Sequence, residues 1–119
     1  MNHIRRTYNH AMIIGRIADD FNMTNESDGV PALYLEITAE SIIKVDQVKK
    51  ERVSKIPVML YGQSAIFIQE NAVLGTRLLI TGSVERVSYN FGAIKLLNAV
   101  VIVAEHVQIL SPYKLGQVE

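Results

Sequence analysis

The strongest sign of covalent chemistry in the sequence is the run Gly62-Gln63-Ser64, which stands where a predicted strand gives way to a predicted helix. A serine in this setting is typical of a nucleophile elbow, where Gly-x-Ser-x-Gly holds the hydroxyl on a sharp strand-to-helix turn. The motif is broken at its last position, because Ile66 replaces the second glycine. Ser64 is better interpreted as a residue of the first helical turn or cap. We therefore expect no catalytic residue and no enzyme.

Metal-binding patterns are also missing from the sequence. Cysteine is absent, which excludes disulfides, thiolate chemistry and Cys-based zinc sites. The three histidines lack the spacing of zinc ligands. Four carboxylates crowd the first predicted loop without the spacing or closing glutamate of an EF-hand: Asp19, Asp20, Glu26 and Asp28. We expect no metal and no cofactor, and we interpret the carboxylates as a solvated loop.

Length and composition indicate one soluble domain. The chain has 119 residues, of which 49% are hydrophobic and 20% charged. The longest apolar run, residues 99–104, is far too short to cross a bilayer. Arg5 and Arg6 are not followed by the apolar segment of a secretion signal. We expect a cytoplasmic, nucleoid-associated protein with no membrane partner, a core over about residues 8–111 and short flexible termini.

The formal net charge of zero hides a segregated distribution. Residues 1–16 carry three arginines and no acid, whereas residues 17–43 carry six acids and no base. Residues 44–95 hold eight bases against four acids. A locally basic face therefore remains compatible with overall neutrality. Such a face would bind phosphates more weakly than a strongly basic protein does.

Alternation of apolar and polar residues dominates the chain and predicts strands. Gly15, inside the first strand, suggests a bulge or tight coil where a barrel strand bends. Turn-forming residues over 22–29 predict a hairpin loop, residues 44–52 a polar basic connection, and residues 90–92 a turn. The predicted strands cover residues 10–18, 30–43, 53–61, 77–89 and 93–110.

One helix is predicted, over residues 63–72, because its apolar residues cover one face and Gly75 follows as a stop. The order is then three strands, a helix and two strands. An all-β chain with five strands and a short helix between the third and fourth has the layout of the OB-fold, a partly open Greek-key barrel. We predict that fold for one domain over residues 1–119.

The sequence resembles the bacterial and phage single-stranded DNA-binding protein family over about residues 8–111. The opening strand of that family is similar to Asn9, residues 12–14, Gly15 and Ile17 here. Its third strand ends in an aromatic residue and a glycine. The joint spacing of these and the following positions makes the resemblance specific: Tyr61, Gly62, Gly75, Gly82 and Tyr89. The final strand of the family resembles residues 104–110.

The chain departs from the family pattern in three places. Asp20 is followed by Phe21, where the family usually has proline. There is no tryptophan, so two aromatic stacking positions of the family are occupied by aliphatic or polar residues near Ile42 and Lys55. The long Gly/Pro/Gln-rich tail with its acidic tip is absent from the sequence. The resemblance therefore covers the OB core alone and leaves recruitment of other proteins open.

The resemblance implies that aromatic side chains stack on unpaired bases. Tyr61 is the leading candidate, because alternation places it opposite the buried Val58. Tyr89 and Phe91 stand at a predicted hairpin tip, where an exposed aromatic has little structural purpose. Tyr34 lies on the polar face of the second strand, and either DNA stacking or a subunit contact would fit it.

Basic side chains would contact phosphates, and the resemblance places the main group in or beside a loop that closes over DNA. The members of this group are Lys44, Lys49, Lys50, Arg52 and Lys55. On the strands, Arg16, Arg77, Arg86 and Lys95 can line the groove, and Arg86 is closest in sequence to Tyr89. A solvated charged loop is the alternative, and Asp46 and Glu51 dilute the group.

The resemblance implies sequence-independent binding of single-stranded DNA in replication, recombination or repair. A second family, primosomal replication protein B, is also similar and implies an adaptor that acts mainly through protein contacts. RNA as the ligand stays open, because base stacking ignores the sugar. By resemblance we expect a homotetramer first and a dimer second, with replication or repair proteins as further partners. Leu79, Val87 and surplus apolar residues within 96–103 would supply a subunit interface.

Overall fold

The computed structural model describes residues 7–19, 21–25, 29–91 and 94–111. Its elements follow the predicted order, with one additional short strand. They are β1 (Ala11–Ile17), β2 (Asn22–Asn25), β3 (Pro31–Val45), β4 (Val48–Tyr61), α1 (Gln63–Asn71), β5 (Arg77–Phe91) and β6 (Ile94–Ser111).

The strands form one sheet that closes into a barrel. Their order is β1-β5-β6-β4-β3-β2, and an additional antiparallel pairing of β1 with β3 closes the five long strands into a ring, with β2 at the edge beside β3. β4 and β6 run parallel where Met59 lies opposite Val103. Five long strands in a closed barrel, with one helix between the third and fourth of them, confirm the predicted OB-fold.

The barrel interior is filled by alternate residues of every long strand. In β4 Val58 and Leu60 are fully buried, and Leu33, Leu35 and Ile37 of β3 face them. Gly15 lies where β1 crosses from β5 to β3, and a Cβ there would overlap the Thr38 carbonyl oxygen. The tight coil predicted at Gly15 therefore has a steric cause, since only glycine lets β1 approach β3 so closely.

The helix closes one end of the barrel. Gly62 begins it with a φ of 65°, and Ala65 and Ile68 bury their side chains against the barrel core. α1 ends at Asn71, one residue before the predicted end. The turn that follows uses Gly75 at a φ of 88°, a value that favours glycine.

Two predicted loops are wrong in part. β2 occupies residues of the predicted 22–29 loop and pairs with β3. The predicted connection over residues 44–52 is instead a hairpin, because β3 and β4 remain paired as far as Val45 and Val48. Asp46 and Gln47 form the two-residue turn with φ values of 50° and 72°, the positive values that a type I′ turn requires.

The β3–β4 hairpin projects beyond the barrel. We name residues 40–55 the arm, since every residue in it is exposed except the partly buried Ile43. The arm is a two-stranded ribbon whose two faces both carry solvent-exposed side chains. The cations that the sequence placed in or beside a loop therefore all lie on a regular strand pair.

Candidate nucleic-acid interface

A second apolar cluster lies on the outer face of the barrel. Tyr34, Met59 and Val101 form its buried part, and six partly buried residues pack against them: Tyr61, Val87, Tyr89, Leu96, Ala99 and Val103. We name these nine residues the outer cluster. It draws residues from β3, β4, β5 and β6, so the β5–β6 hairpin lies against the outer face of β3 and β4.

Tyr61 and Tyr89, the two leading aromatic candidates, meet in this cluster. The Tyr61 hydroxyl donates to the Tyr89 hydroxyl at 2.7 Å. Their ring centroids are 6.4 Å apart, and the ring planes are tilted by 50°. Alternation explains the placement of Tyr61, since its neighbour Leu60 points into the barrel core. The two residues, which are far apart in sequence, form a tyrosine pair on the outer surface.

Tyr34 lies on the outer face, as its position in the alternation predicted, but its side chain is only 8% exposed. Its hydroxyl donates to Glu36 Oε2 at 3.2 Å. Burial, and next the charge of Glu36, raise the pKa of Tyr34 to about 12. Tyr34 is thus a buried member of the outer cluster, directly opposite Met59 of β4.

Phe91 is the last residue of β5 and is paired with Ile94. It therefore lies at the tip of the β5–β6 hairpin, as the sequence predicted. Its side chain, residue 92 of the predicted turn over 90–92, and residue 93 lie outside the described part of the chain.

The five arm cations are all exposed and divide between the two faces of the ribbon. Directly opposite residues share a face, so the pairs Lys44–Lys49 and Thr38–Lys55 continue the outer face that carries Tyr61. Lys50 and Arg52 lie on the other face, which continues the barrel interior. The sequence grouped these five residues, and the structure separates them into a set of three and a set of two.

Lys55 has an acidic neighbour. Its Nζ lies 3.4 Å from Asp19 Oδ2, and the two side chains are 58% and 54% exposed. An ion pair so exposed contributes at most about 1 kcal/mol and is screened by salt. Lys55 can therefore exchange this carboxylate for a phosphate at little cost.

Arg86 does not lie beside Tyr89, although its position in the sequence suggested that it would. The two residues are an odd number of positions apart on β5, and Val87 turns toward the outer cluster, so Arg86 faces the other way. Its guanidinium donates to the Asn98 carbonyl oxygen at 3.1 Å. Lys95, opposite Asn90 near the hairpin tip, is exposed.

Arg16 lies on the outer face of β1, and its guanidinium donates to the Gly75 carbonyl oxygen at 3.0 Å. Directly opposite it on β5 is Arg77. Both side chains are exposed. Sequence reasoning named each arginine separately and missed their juxtaposition, because no local signal reveals which strands will be neighbours in a closed barrel. Arg5 and Arg6 lie outside the described residues.

The sequence indicates that Ser64 is a residue of the first helical turn or cap. Ser64 lies in the first turn of α1, which has no side-chain cap hydrogen bond. Among the residues that the structure describes, no three His, Asp or Glu side chains are grouped to hold a metal ion. No helix in the described ranges is long and apolar enough to cross a membrane.

Comparison with known proteins agrees with the geometry. The model of the single-strand binding protein family matches residues 8–110. The chain therefore belongs to the single-strand binding protein family. No curated protein sequence gives a significant match.

Solved structures share the fold at low sequence identity. The chain is similar to the single-stranded DNA-binding protein of Plasmodium falciparum in complex with single-stranded DNA, with a TM-score of 0.73, 14% identity, and coverage of 92% of this chain and 100% of that one. It is similar to the protein PriB from Ralstonia solanacearum, with a TM-score of 0.68, 15% identity, and coverage of 87% and 98%. A deletion mutant of the single-stranded DNA-binding protein from Thermus aquaticus gives a TM-score of 0.71 and 17% identity, over 92% of this chain and 53% of that one.

Proposed function

We propose that this protein binds single-stranded DNA without sequence preference, in replication, recombination or repair, and that it catalyses no reaction. Membership of the single-strand binding protein family supports this function. The observation that carries it is the tyrosine pair on the outer face of the barrel, on the same face as Lys44, Lys49 and Lys55. Stacking platforms beside cations are what unpaired nucleic acid requires.

In this proposal the hydroxyl contact between Tyr61 and Tyr89 fixes the orientation of both rings. The outer cluster holds them from behind, and both residues are partly exposed. Each stacked base contributes roughly 1–3 kcal/mol with little dependence on its identity. Phe91, at the hairpin tip, stays a further stacking candidate from the sequence, and Tyr34 supports the pair from within the outer cluster. Lys44, Lys49 and Lys55, with Arg16, contact phosphates on this outer face, whereas Lys50, Arg52 and Arg86 face the other way and contribute less.

An adaptor that acts mainly through protein contacts is the second candidate. The similarity to PriB from Ralstonia solanacearum supports it. So does the apolar surface of the arm, where Ile42 and Val53 are 68% and 65% exposed. Side chains of this kind on a projecting ribbon suit a protein partner.

We also propose a homotetramer, or next a dimer, in the cytoplasm. Part of the apolar surplus that suggested an interface is covered within the chain, because Val87, Leu96, Ala99, Val101 and Val103 belong to the outer cluster. Other apolar side chains stay exposed, including Met12 at 64% and Leu97 at 75%. These remain available to a second copy.

Light scattering of the purified protein with and without a thymidine oligomer tests these proposals together. A tetramer or dimer that gains the mass of the oligomer supports DNA binding. A protein that binds no oligomer but is retained by a replication protein supports the adaptor. A parallel titration with a uridine oligomer decides between DNA and RNA as the ligand.

A further inference from the structure

Residues that lie directly opposite each other in neighbouring strands share one face of a sheet. Lys55 of β4 lies opposite Thr38 of β3, and Thr38 lies opposite Arg16 of β1. Arg16 in turn lies opposite Arg77 of β5. These four residues, which we name the cation row, form one line that crosses four strands.

The cation row lies outside the barrel. The chain neighbours of its members point inward, since Ile17, Ile37 and Leu78 are buried in the barrel core. Lys55, Arg16 and Arg77 are exposed, and Thr38 is partly buried. Three steps between neighbouring strands make the row about 14 Å long. Lys55 is also six residues from Tyr61 on the same face of β4, about 20 Å along the strand, so the row extends the surface of the tyrosine pair.

Within the part of the chain that the structure describes, neither arginine of the row is paired with a carboxylate. Among the described residues, one ion pair is formed, that of Lys55 with Asp19. Arg16 donates to a carbonyl oxygen of the turn at Gly75, which holds its guanidinium in place without neutralising it. Like charges directly opposite each other destabilise an antiparallel strand pair. An anion that binds both guanidiniums removes this repulsion.

A groove of about 580 Å³ lies along the row. Its lining includes Arg16, Arg77 and Thr38, the exposed apolar side chains Ile14 and Leu74, and one carboxylate, Glu40. Cations beside apolar side chains suit a ligand with alternating phosphates and flat bases. Glu40 is a diagonal neighbour of Arg16 on this face, since it follows Thr38 by two residues.

We propose that the cation row binds successive phosphates of single-stranded DNA, which crosses β4, β3, β1 and β5 from the base of the arm to the turn at Gly75. The proposal rests on the proposed DNA-binding function and gives the strand a second stretch of path beyond the tyrosine pair. Glu40 limits affinity there, since it lies within reach of the same phosphates.

The first test is a salt titration of thymidine-oligomer binding by the double variant R16Q/R77Q. Loss of two phosphate contacts lowers the slope of log K against log salt by about 1.4, at about 0.7 per contact for single strands. The matched control R16K/R77K keeps both charges and is expected to keep the wild-type slope. A melting curve establishes folding, and R16Q/R77Q is expected to melt close to the wild type, because the variant removes a repulsion together with the exposed Arg16 hydrogen bond to Gly75.

The second test measures a gain of DNA affinity, which a misfolded variant would not show. Glu40→Gln removes a negative charge about 7–8 Å from Arg16, the distance of a diagonal neighbour. Removing the Coulomb repulsion between Glu40 and a phosphate at about that distance, at the dielectric constant of water, raises affinity for the thymidine oligomer about two- to threefold at low salt. Glu70→Gln, on the exposed side of α1, is the matched control and leaves affinity unchanged.

The two proposals fail in different ways. If the wild-type protein binds no oligonucleotide, the DNA-binding function is refuted. If the wild type binds but R16Q/R77Q keeps its slope, or Glu40→Gln binds no more tightly than Glu70→Gln, the cation row is not on the DNA path and the function stands.

Discussion

Replacing Tyr61 tests the stacking platform, and the structure determines which replacement is informative. Tyr61→Ala would open a hole in the outer cluster, where Tyr61 packs beside Met59 and Tyr89. Aromatic-to-alanine changes in full cores cost about 3–5 kcal/mol, so we expect about 1–3 kcal/mol of stability for this partly buried ring. A loss of DNA binding by Tyr61→Ala would then have two explanations.

Tyr61→Phe and Tyr61→Leu separate them. Phenylalanine keeps the ring and removes the 2.7 Å hydrogen bond to Tyr89. The net value of such a bond is about 0.5–1.5 kcal/mol, and the lower end applies because the partly exposed Tyr89 hydroxyl can bond water instead. Leucine fills the cluster with apolar volume but offers no flat face. The two variants therefore differ mainly in stacking.

We expect Tyr61→Phe to bind a thymidine oligomer within about twofold of the wild type. Tyr61→Leu should lose roughly 1–3 kcal/mol, the value of one stacked base. This corresponds to about 5- to 150-fold in Kd. Fluorescence anisotropy of a labelled oligomer measures both, with melting curves to confirm folding. If Tyr61→Leu binds as tightly as Tyr61→Phe, the ring does not stack on DNA, and Tyr61 is a structural residue of the outer cluster.

Three further predictions follow from the same geometry. Replacing Lys44, Lys49 and Lys55 by alanine should lower the slope of log K against log salt by about 2, at about 0.7 per phosphate contact. The K50A/R52A variant, on the other face, should change the slope less. Equal effects per cation would refute a single DNA-binding face of the arm. Gly15→Ala should destabilise the fold by about 1–3 kcal/mol in denaturant unfolding, because its Cβ would overlap the Thr38 carbonyl oxygen, and a neutral result would mean that β1 can move away from β3. The pKa of Tyr34 is about 12 in the folded protein and about 10 when unfolded. The stability that this raised pKa contributes to the fold is therefore complete below pH 10 and is lost as pH rises through 12. Tyr34→Phe should lose less stability than the wild type across that range.

Local pattern predicted the parts of the fold that depend on neighbours in sequence. Alternation along residues 53–61 correctly separated Val58 and Leu60 from Tyr61, because the side-chain period of a strand is two. The helix began at the predicted residue, because Gly62 permits the positive φ that turns the chain out of β4. The five long strands and their order were also predictable, and together they defined the barrel.

Residues 44–52 of the arm were predicted as a connection because they are polar and basic, and the structure shows them exposed on both faces of a ribbon. A backbone ladder between β3 and β4 continues to a turn at Asp46 and Gln47, which lacks the glycine that usually marks a type I′ turn. The strand pair was therefore missed because its residues are so highly charged. The consequence for the site is the division of the five cations between two faces.

Long-range contacts account for the rest of what the sequence missed. The alternating pattern around Tyr34 would be the same whether its face of the strand were exposed or buried. Only the position of the β5–β6 hairpin makes this residue 8% exposed. The juxtaposition of Arg16 with Arg77 depends likewise on the register of β1 against β5. Register between strands distant in sequence is set by closure of the whole barrel.

The central claim is that this barrel binds unpaired nucleic acid by stacking and phosphate contacts. The most direct test is a competition titration, in which a labelled thymidine oligomer is displaced from the wild-type protein by unlabelled single-stranded or duplex DNA of matched length. The account predicts saturable binding that weakens with salt, and a single strand that competes at least about tenfold better than the duplex, because stacked and paired bases are unavailable to Tyr61 and Tyr89. Equal competition by the duplex, or no saturable binding of the labelled oligomer, would contradict it.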